Sequence, residues 1–209
     1  MTDSVILHDY WRSSAAYRVR IALNLAGISY QSTEVNLLDK LHKSREYLAL
    51  NPQGLVPALE IDGHILTQSL AIIGYLSETR ALTVLPDEPY ARARVKAAAM
   101  ALSIDLHPVC NLQVVDYATG ADEPARRKWM QHFITPGLAA FEKLIEGFDG
   151  PYCCGDQPSL ADICMVPQLY NADRWGAMYG ACAKILEAQA ACKANPAFTA
   201  AHPDMVSPV

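Results

Sequence analysis

The stretch VILHDYWRSSAAYRVRIALNLAG, residues 5–27, decides the fold. Val5, Ile6 and Leu7 form a short apolar run that reads as a buried strand. A polar loop follows over residues 9–14. From there Ala15, Val19, Ala22, Leu23 and Ala26 recur at helical spacing, with Arg18, Arg20 and Asn24 off that stripe. Ser13 and Ser14 are of the type that caps a helix, and Gly27 is of the type that stops one. Ser29 to Val35 then alternates partly, as a strand does. Strand, helix and strand over this length imply a parallel pair with a right-handed crossover.

Beyond that unit, Asn51-Pro52-Gln53-Gly54 reads as a turn and Val56 to Ile61 as a strand. Asp62-Gly63 signals a hairpin with a return strand at His64 to Leu66. A helix starts at Ser69 and carries Leu70, Ile72, Ile73 and Leu76. The order βαβ then ββα makes residues 1–82 a four-stranded α/β domain of thioredoxin-like layout. It lacks the CxxC pair that disulfide chemistry needs. Residues 83–89 read as a linker containing proline. Residues 90–209 read as an all-α domain. Its expected helices are Tyr90 to Tyr117, Glu123 to Gly147 with a bend at Pro136-Gly137, and one running towards Trp175. The last starts at Pro158-Ser159-Leu160-Ala161-Asp162, an Asp version of the capping box.

The 209 residues are 51% apolar and 19% charged, a globular composition. Lys plus Arg is 17 and Asp plus Glu is 22, a net charge of −5. That balance gives no basic footprint for nucleic acid or an anionic membrane. No apolar run approaches the roughly 20 residues that span a bilayer. Met1 to Ser4 lead into no basic and apolar leader, so a cytoplasmic location is expected. Cys110, Cys153, Cys154, Cys164, Cys182 and Cys192 show no metal-ligand spacing and read as free thiols. His8, His42, His64, His132 and His202 read as surface or loop residues.

Three short constellations suit an anionic peptide. Arg12-Ser13-Ser14 lies at a helix start, where free N–H groups and the helix dipole favour an anion. A hydroxyl there can donate to a thiolate and stabilise it. The plainer alternative is two capping serines. Val56-Pro57 follows a turn, a frequent cis position that would leave the Val56 backbone free to pair with an extended ligand. The alternative is an ordinary turn–strand junction. Gln68-Ser69 opens a helix and suits a carboxylate, or merely caps it.

Taken in chain order, Ser13-Ser14 with Arg18 to Leu23, Asn51-Pro52, Val56-Pro57, Gln68 to Ile73, Ser159 to Asp162 and Asn171-Ala172 with Arg174 resemble the glutathione S-transferase superfamily. The resemblance covers the full length, and the first of these runs looks like the zeta-class signature. That class includes maleylacetoacetate and maleylpyruvate isomerases. The resemblance implies a glutathione transferase fold, glutathione as cofactor, a homodimer and a place in aromatic catabolism. It implies cis–trans isomerisation of a small maleyl dicarboxylate by reversible thiolate addition. Ser13 would stabilise the thiolate, with Ser14 in support. Val56, beside Pro57, would pair with the cysteinyl backbone. Gln68 and Ser69 would hold the γ-glutamyl carboxylate. Arg12 and Arg174 would bind substrate carboxylates, and His107 and Asn111 would face the site from the helical domain. Two positions depart from the pattern: Ala15 stands where the signature has Cys, and Gln113 where bacterial isomerases tend to carry Arg. The alternatives are a transferase acting on small electrophiles such as α-haloacids, and a non-catalytic interaction module.

Overall fold

The structure, a computed structural model, describes residues 4–207. The leader reading at Met1 to Asp3 lies outside them. The chain divides into two units, Met1–Leu82 with Pro196–Val209, and Thr83–Asn195.

The first unit holds β1 (Ile6–Asp9), α1 (Ser14–Leu25), β2 (Gln31–Glu34), α2 (Arg45–Leu50), β3 (Ala58–Ile61), β4 (His64–Thr67) and α3 (Ser69–Thr79). The sheet order is β2-β1-β3-β4. β1 and β2 are parallel, and the other pairs are antiparallel. This is the expected βαβ-ββα layout. Asp62 and Gly63 both take positive φ, 54° and 75°, as a two-residue type I′ hairpin requires. Leu7, Val19, Ile21, Leu23, Leu59, Ile72 and Leu76 are buried around the sheet.

Three features of this unit depart from the sequence expectation. Helix α2 is six residues long and buries only Tyr47, too short for periodicity to show. Ser44 caps it, accepting from the Tyr47 N–H at 3.1 Å. Arg18 and Arg20, read as lying off the apolar stripe, are buried in α1. A guanidinium can be buried where its donors meet acceptors, and Arg20 meets both oxygens of Asp9 at 2.8 and 2.6 Å. His8, read as a surface residue, is also buried, with Nε2 2.6 Å from Glu60 Oε1.

The end of the chain corrects the expected boundary. The sequence places residues 90–209 in the helical domain, yet Pro196–Val209 groups with the first unit. Its helices α10 (Pro196–Ala200) and α11 (Pro203–Val206) follow the last helix of the second unit. Phe198 and Ala201 are buried there. Asn24 Nδ2 donates to the Ala197 carbonyl and Arg20 Nε to the Ala201 carbonyl, each at 3.0 Å.

The second unit is helical: α4 (Pro89–Met100), α5 (His107–Val109), α6 (Leu112–Thr119), α7 (Glu123–Leu144), α8 (Leu160–Trp175) and α9 (Ala183–Ala194). The single helix expected over Tyr90 to Tyr117 is broken. A π-helical segment, Ala101–Leu106, follows α4. The chain then turns at Cys110-Asn111, where Asn111 caps α6 by accepting from the Gln113 N–H at 3.0 Å. α7 runs through Pro136 without interruption. Gly137 lets α7 approach the π-helical segment, since a Cβ there would lie 2.8 Å from Leu106 Cδ2. The capping box at the start of α8 is present as expected. Its Asp162, fully buried, accepts from the Ser159 N–H at 2.8 Å, the Ser159 hydroxyl at 2.6 Å and the Cys153 N–H at 2.9 Å. Among the described residues no single helix is long and apolar enough to cross a membrane.

Candidate active site

Strand register gathers the three constellations. Ala58, which opens β3, pairs with His8 on one side and with Thr67 on the other. Three segments therefore lie at one end of the sheet: the loop leaving β1, Val56-Pro57 entering β3, and Gln68-Ser69 leaving β4.

The first segment is a tight loop. The Ser13 N–H donates to the Tyr10 carbonyl at 2.8 Å. Ser13 is the N-cap of α1, and its Oγ accepts from the Ala16 N–H at 3.2 Å. With that lone pair engaged, the hydroxyl hydrogen is left to donate. No acidic residue lies in the first turn of α1 to oppose the positive end of the dipole. Ser14 is the first residue of the helix. Arg12 donates to the Tyr10 hydroxyl at 3.0 Å, and its guanidinium carbon sits 4.7 Å from the Trp11 ring centroid. A hydrogen bond and a stacking face thus hold this half-buried cation on the loop that precedes the capping serine.

The second segment is framed by side chains. The Asn51 amide donates to the Leu55 carbonyl at 2.6 Å, and the Tyr47 hydroxyl donates to the same carbonyl at 2.7 Å. Burial pushes the Tyr47 phenol up to about 12, so it remains a donor. Gly54 has φ 59°, and a Cβ there would meet the His42 carbonyl at 2.7 Å. The Val56–Pro57 bond is cis. Neither the Val56 N–H nor its carbonyl finds a backbone partner among the described residues.

At the third segment Gln68 precedes α3 with φ 67° and ψ 112°, a backbone conformation that costs a non-glycine residue about 1–3 kcal/mol. Gln68 Nε2 donates to Gln53 Oε1 at 2.7 Å, joining the second and third segments. Arg18 Nε donates to the buried Ser69 Oγ at 3.0 Å, joining α1 to α3. Ser69 therefore has its own hydroxyl hydrogen to offer a carboxylate, with a guanidinium behind it.

The other residues singled out lie in the second unit. His107 begins α5 and Asn111 is the N-cap of α6. Arg174 is exposed in the last turn of α8, its guanidinium carbon 5.9 Å from both the Tyr170 and Trp175 ring centroids. The cysteines are poor sources of a thiolate. Burial pushes Cys110 and Cys154 up to about 12, and raises Cys153, Cys182 and Cys192 as well. Among the described residues no group of three His, Cys, Asp or Glu side chains could hold a metal ion.

Sequence reading missed Tyr10, Gln53, Arg18 and the Asp9–Arg20 pair. Tyr10 and Gln53 flank motifs that were found, but neither carries a spacing that marks it. Arg18 and Arg20 stand within the signature run, where only their burial shows what they do.

Residues 3–78 match the family description "Glutathione S-transferase, N-terminal domain", and residues 123–203 match "Glutathione S-transferase, C-terminal domain". The chain is 53% identical to a maleylacetoacetate isomerase of Rhizobium meliloti, the match covering all of both chains. A bacterial zeta-class maleyl pyruvate isomerase, solved in its holo form, superposes with a TM-score of 0.93 at 38% identity, over 97% of this chain and 98% of that one. A maleylacetoacetate isomerase from Anaeromyxobacter dehalogenans, solved with glutathione in its active site, gives 0.88 at 38% identity, over 98% and 97%. By both domains, and by relatives matched from end to end, the chain belongs to the glutathione S-transferase superfamily and within it to the zeta-class maleylacetoacetate isomerase family.

Proposed function

We propose that the protein is a glutathione-dependent isomerase that converts a maleyl dicarboxylate, maleylacetoacetate or maleylpyruvate, into its fumaryl form. The observation that carries this reading is Ser13: a helix-capping hydroxyl with its hydrogen left to donate, at an unopposed helix N-terminus, with the cationic Arg12 as the preceding residue of the chain.

The residues present fit glutathione. The Val56 N–H and carbonyl are available to a peptide backbone. Gln68 and Ser69, with Arg18 behind Ser69, suit an α-carboxylate. When bound, glutathione supplies a thiolate nucleophile, which makes cis–trans interconversion possible by reversible addition to the substrate's double bond. Ser13 holds a proton on Oγ and donates it in a hydrogen bond that favours the ionised sulfur. Ser14 adds its place in the first turn of α1. Arg12 orients a substrate carboxylate and stabilises negative charge that develops next to it. The family resemblance assigns Arg174 a substrate carboxylate, and His107 and Asn111 a share in holding glutathione. The names of the relatives at 53% and 38% identity support the same reaction.

The reading also includes a cytoplasmic homodimer that serves aromatic catabolism. Six free cysteines suit a reducing compartment. Exposed apolar side chains suit a second copy, Ile65 in the first unit and Met100 and Ile104 in the second. Light scattering on an eluting peak should give twice the 22.9 kDa chain mass; a monomer removes the dimer from the reading.

The test of function is an absorbance assay with both maleyl acids, with and without glutathione, followed by quantification of glutathione. Turnover that needs glutathione and leaves its amount unchanged is expected. Consumption of glutathione with a haloacid, and no turnover of either maleyl acid, would replace the isomerase with a transferase.

A further inference from the structure

We propose that Arg20 is a positioning residue for the loop that carries Arg12 and Ser13, and that the Pro196–Val209 stretch belongs to the same device. The functional consequence rests on the isomerase reading above; the structural part does not.

Arg20 is fully buried. One nitrogen, Nη1, donates to both Asp9 oxygens at 2.8 and 2.6 Å. That alone neutralises the charge. The other two nitrogens go elsewhere: Nη2 to the Trp11 carbonyl at 2.9 Å, and Nε to the Ala201 carbonyl at 3.0 Å. A single side chain therefore fastens the end of β1, the site loop and the chain's returning stretch. The Trp11 carbonyl belongs to the peptide plane from which Arg12 departs, two residues before the N-cap. Holding that plane sets the direction of both functional side chains, although Arg20 touches neither. The anchor on the far side is firm. Ala201 is itself fully buried, and Asn24 holds the Ala197 carbonyl in the same stretch. The Tyr17 ring, its centroid 5.2 Å from the guanidinium carbon, covers the cation. Only a planar fork can serve a carboxylate and two carbonyls in three directions.

The test compares the wild-type chain with Arg20→Lys, which keeps a charge opposite Asp9 but cannot serve both carbonyls as well. A double variant, Asp9→Leu with Arg20→Met, removes the ion pair and both carbonyl bonds without stranding a charge. Amide hydrogen exchange over Tyr10 to Ser14 reads the holding of the loop. Exchange over Thr67 to Ser69 is the control for general loosening. Arg20→Lys should speed exchange about tenfold in the loop and leave the control segment unchanged. Its kcat should fall about 10- to 100-fold, with the KM for glutathione within about threefold of wild type, because the residues that grip the peptide are untouched. The double variant, wherever it folds, should show the same pattern. Equal acceleration in both segments, or a lost kcat with an unchanged loop, overturns the proposal. A wild-type chain without glutathione-dependent turnover overturns the isomerase reading instead, and the exchange pattern still decides whether Arg20 holds the loop.

Discussion

Ser13→Ala separates two jobs done by one hydroxyl. As N-cap of α1 the Ser13 oxygen accepts from the Ala16 N–H at 3.2 Å. Losing a serine cap costs about 1 kcal/mol, which for a chain of this size lowers the melting temperature by about 2–4 °C. As donor to an anionic sulfur the same hydroxyl contributes about 1.5–3 kcal/mol. At about 1.4 kcal/mol per factor of ten, its loss cuts the thiolate population, and with it kcat/KM at neutral pH, about 10- to 100-fold. The sign with pH follows. Without the donor the bound thiol ionises at higher pH, so the deficit is largest in acid and closes as the pH rises past the thiol's range. Ser13→Gly is the control, because glycine at the cap costs only a few tenths of a kcal/mol. It should show the same kinetic loss with almost no change in melting. Initial rates across pH, paired with scanning calorimetry, measure both quantities. A folded Ser13→Ala protein that melts lower as expected, yet keeps its neutral-pH kcat/KM within about twofold, would refute the role given to Ser13 and leave it a cap.

Arg12→Leu should raise the KM for the dicarboxylate about tenfold or more and leave that for glutathione nearly unchanged, as steady-state titration of each can establish. Asp162→Ala strands the buried N–H groups of Cys153 and Ser159, each costing about 1–3 kcal/mol, so thermal unfolding should move down by roughly 5–15 °C. Native protein at neutral pH should show no fast-reacting thiol at Cys110, Cys153, Cys154 or Cys192 when an aromatic disulfide reagent is added, and full reaction after denaturation. The same burial fixes the sign of alkaline stability. Folded thiols that ionise near 12, against an ordinary value of 9.0, keep their full contribution below about pH 9 and lose it between 9 and 12, so denaturant midpoints should fall across that window.

The layout of the first unit was legible because β1 and β3 begin in short apolar runs bounded by turn chemistry, while the polar β2 shows only partial alternation. Asp62-Gly63 and Asn51 to Gly54 punctuate it where the backbone needs them. Ser13, Val56 and Ser69 could be marked because helix starts and a proline-led strand start leave residue-type signals. What stayed hidden depends on partners far along the chain. Arg20 looks like a surface residue until Asp9 and the Ala201 carbonyl are seen around it. The left-handed backbone of Gln68 carries no sequence mark, since glutamine has no preference for it. The break at Cys110-Asn111 was obscured because apolar residues recur on both sides of it; Pro108 and the asparagine cap are its only marks in the sequence. The return of Pro196–Val209 is a matter of tertiary contacts, and helical periodicity is the same whichever unit a helix joins.

That return has a consequence for how the protein is made. Translation delivers the sheet, α1 and the buried Arg20 long before the stretch from Pro196 exists, because the whole of Thr83–Asn195 comes between. Until then the Arg20 Nε–H lacks its Ala201 acceptor, and the apolar ground that Phe198 covers is open to water. The nascent first unit is therefore an incomplete domain on the ribosome, with a long-range closure as its last step. A fragment ending at Leu82 should aggregate as it emerges. A version in which the Pro196–Val209 stretch is spliced by a flexible tether ahead of β1 should reach its fold while still being synthesised.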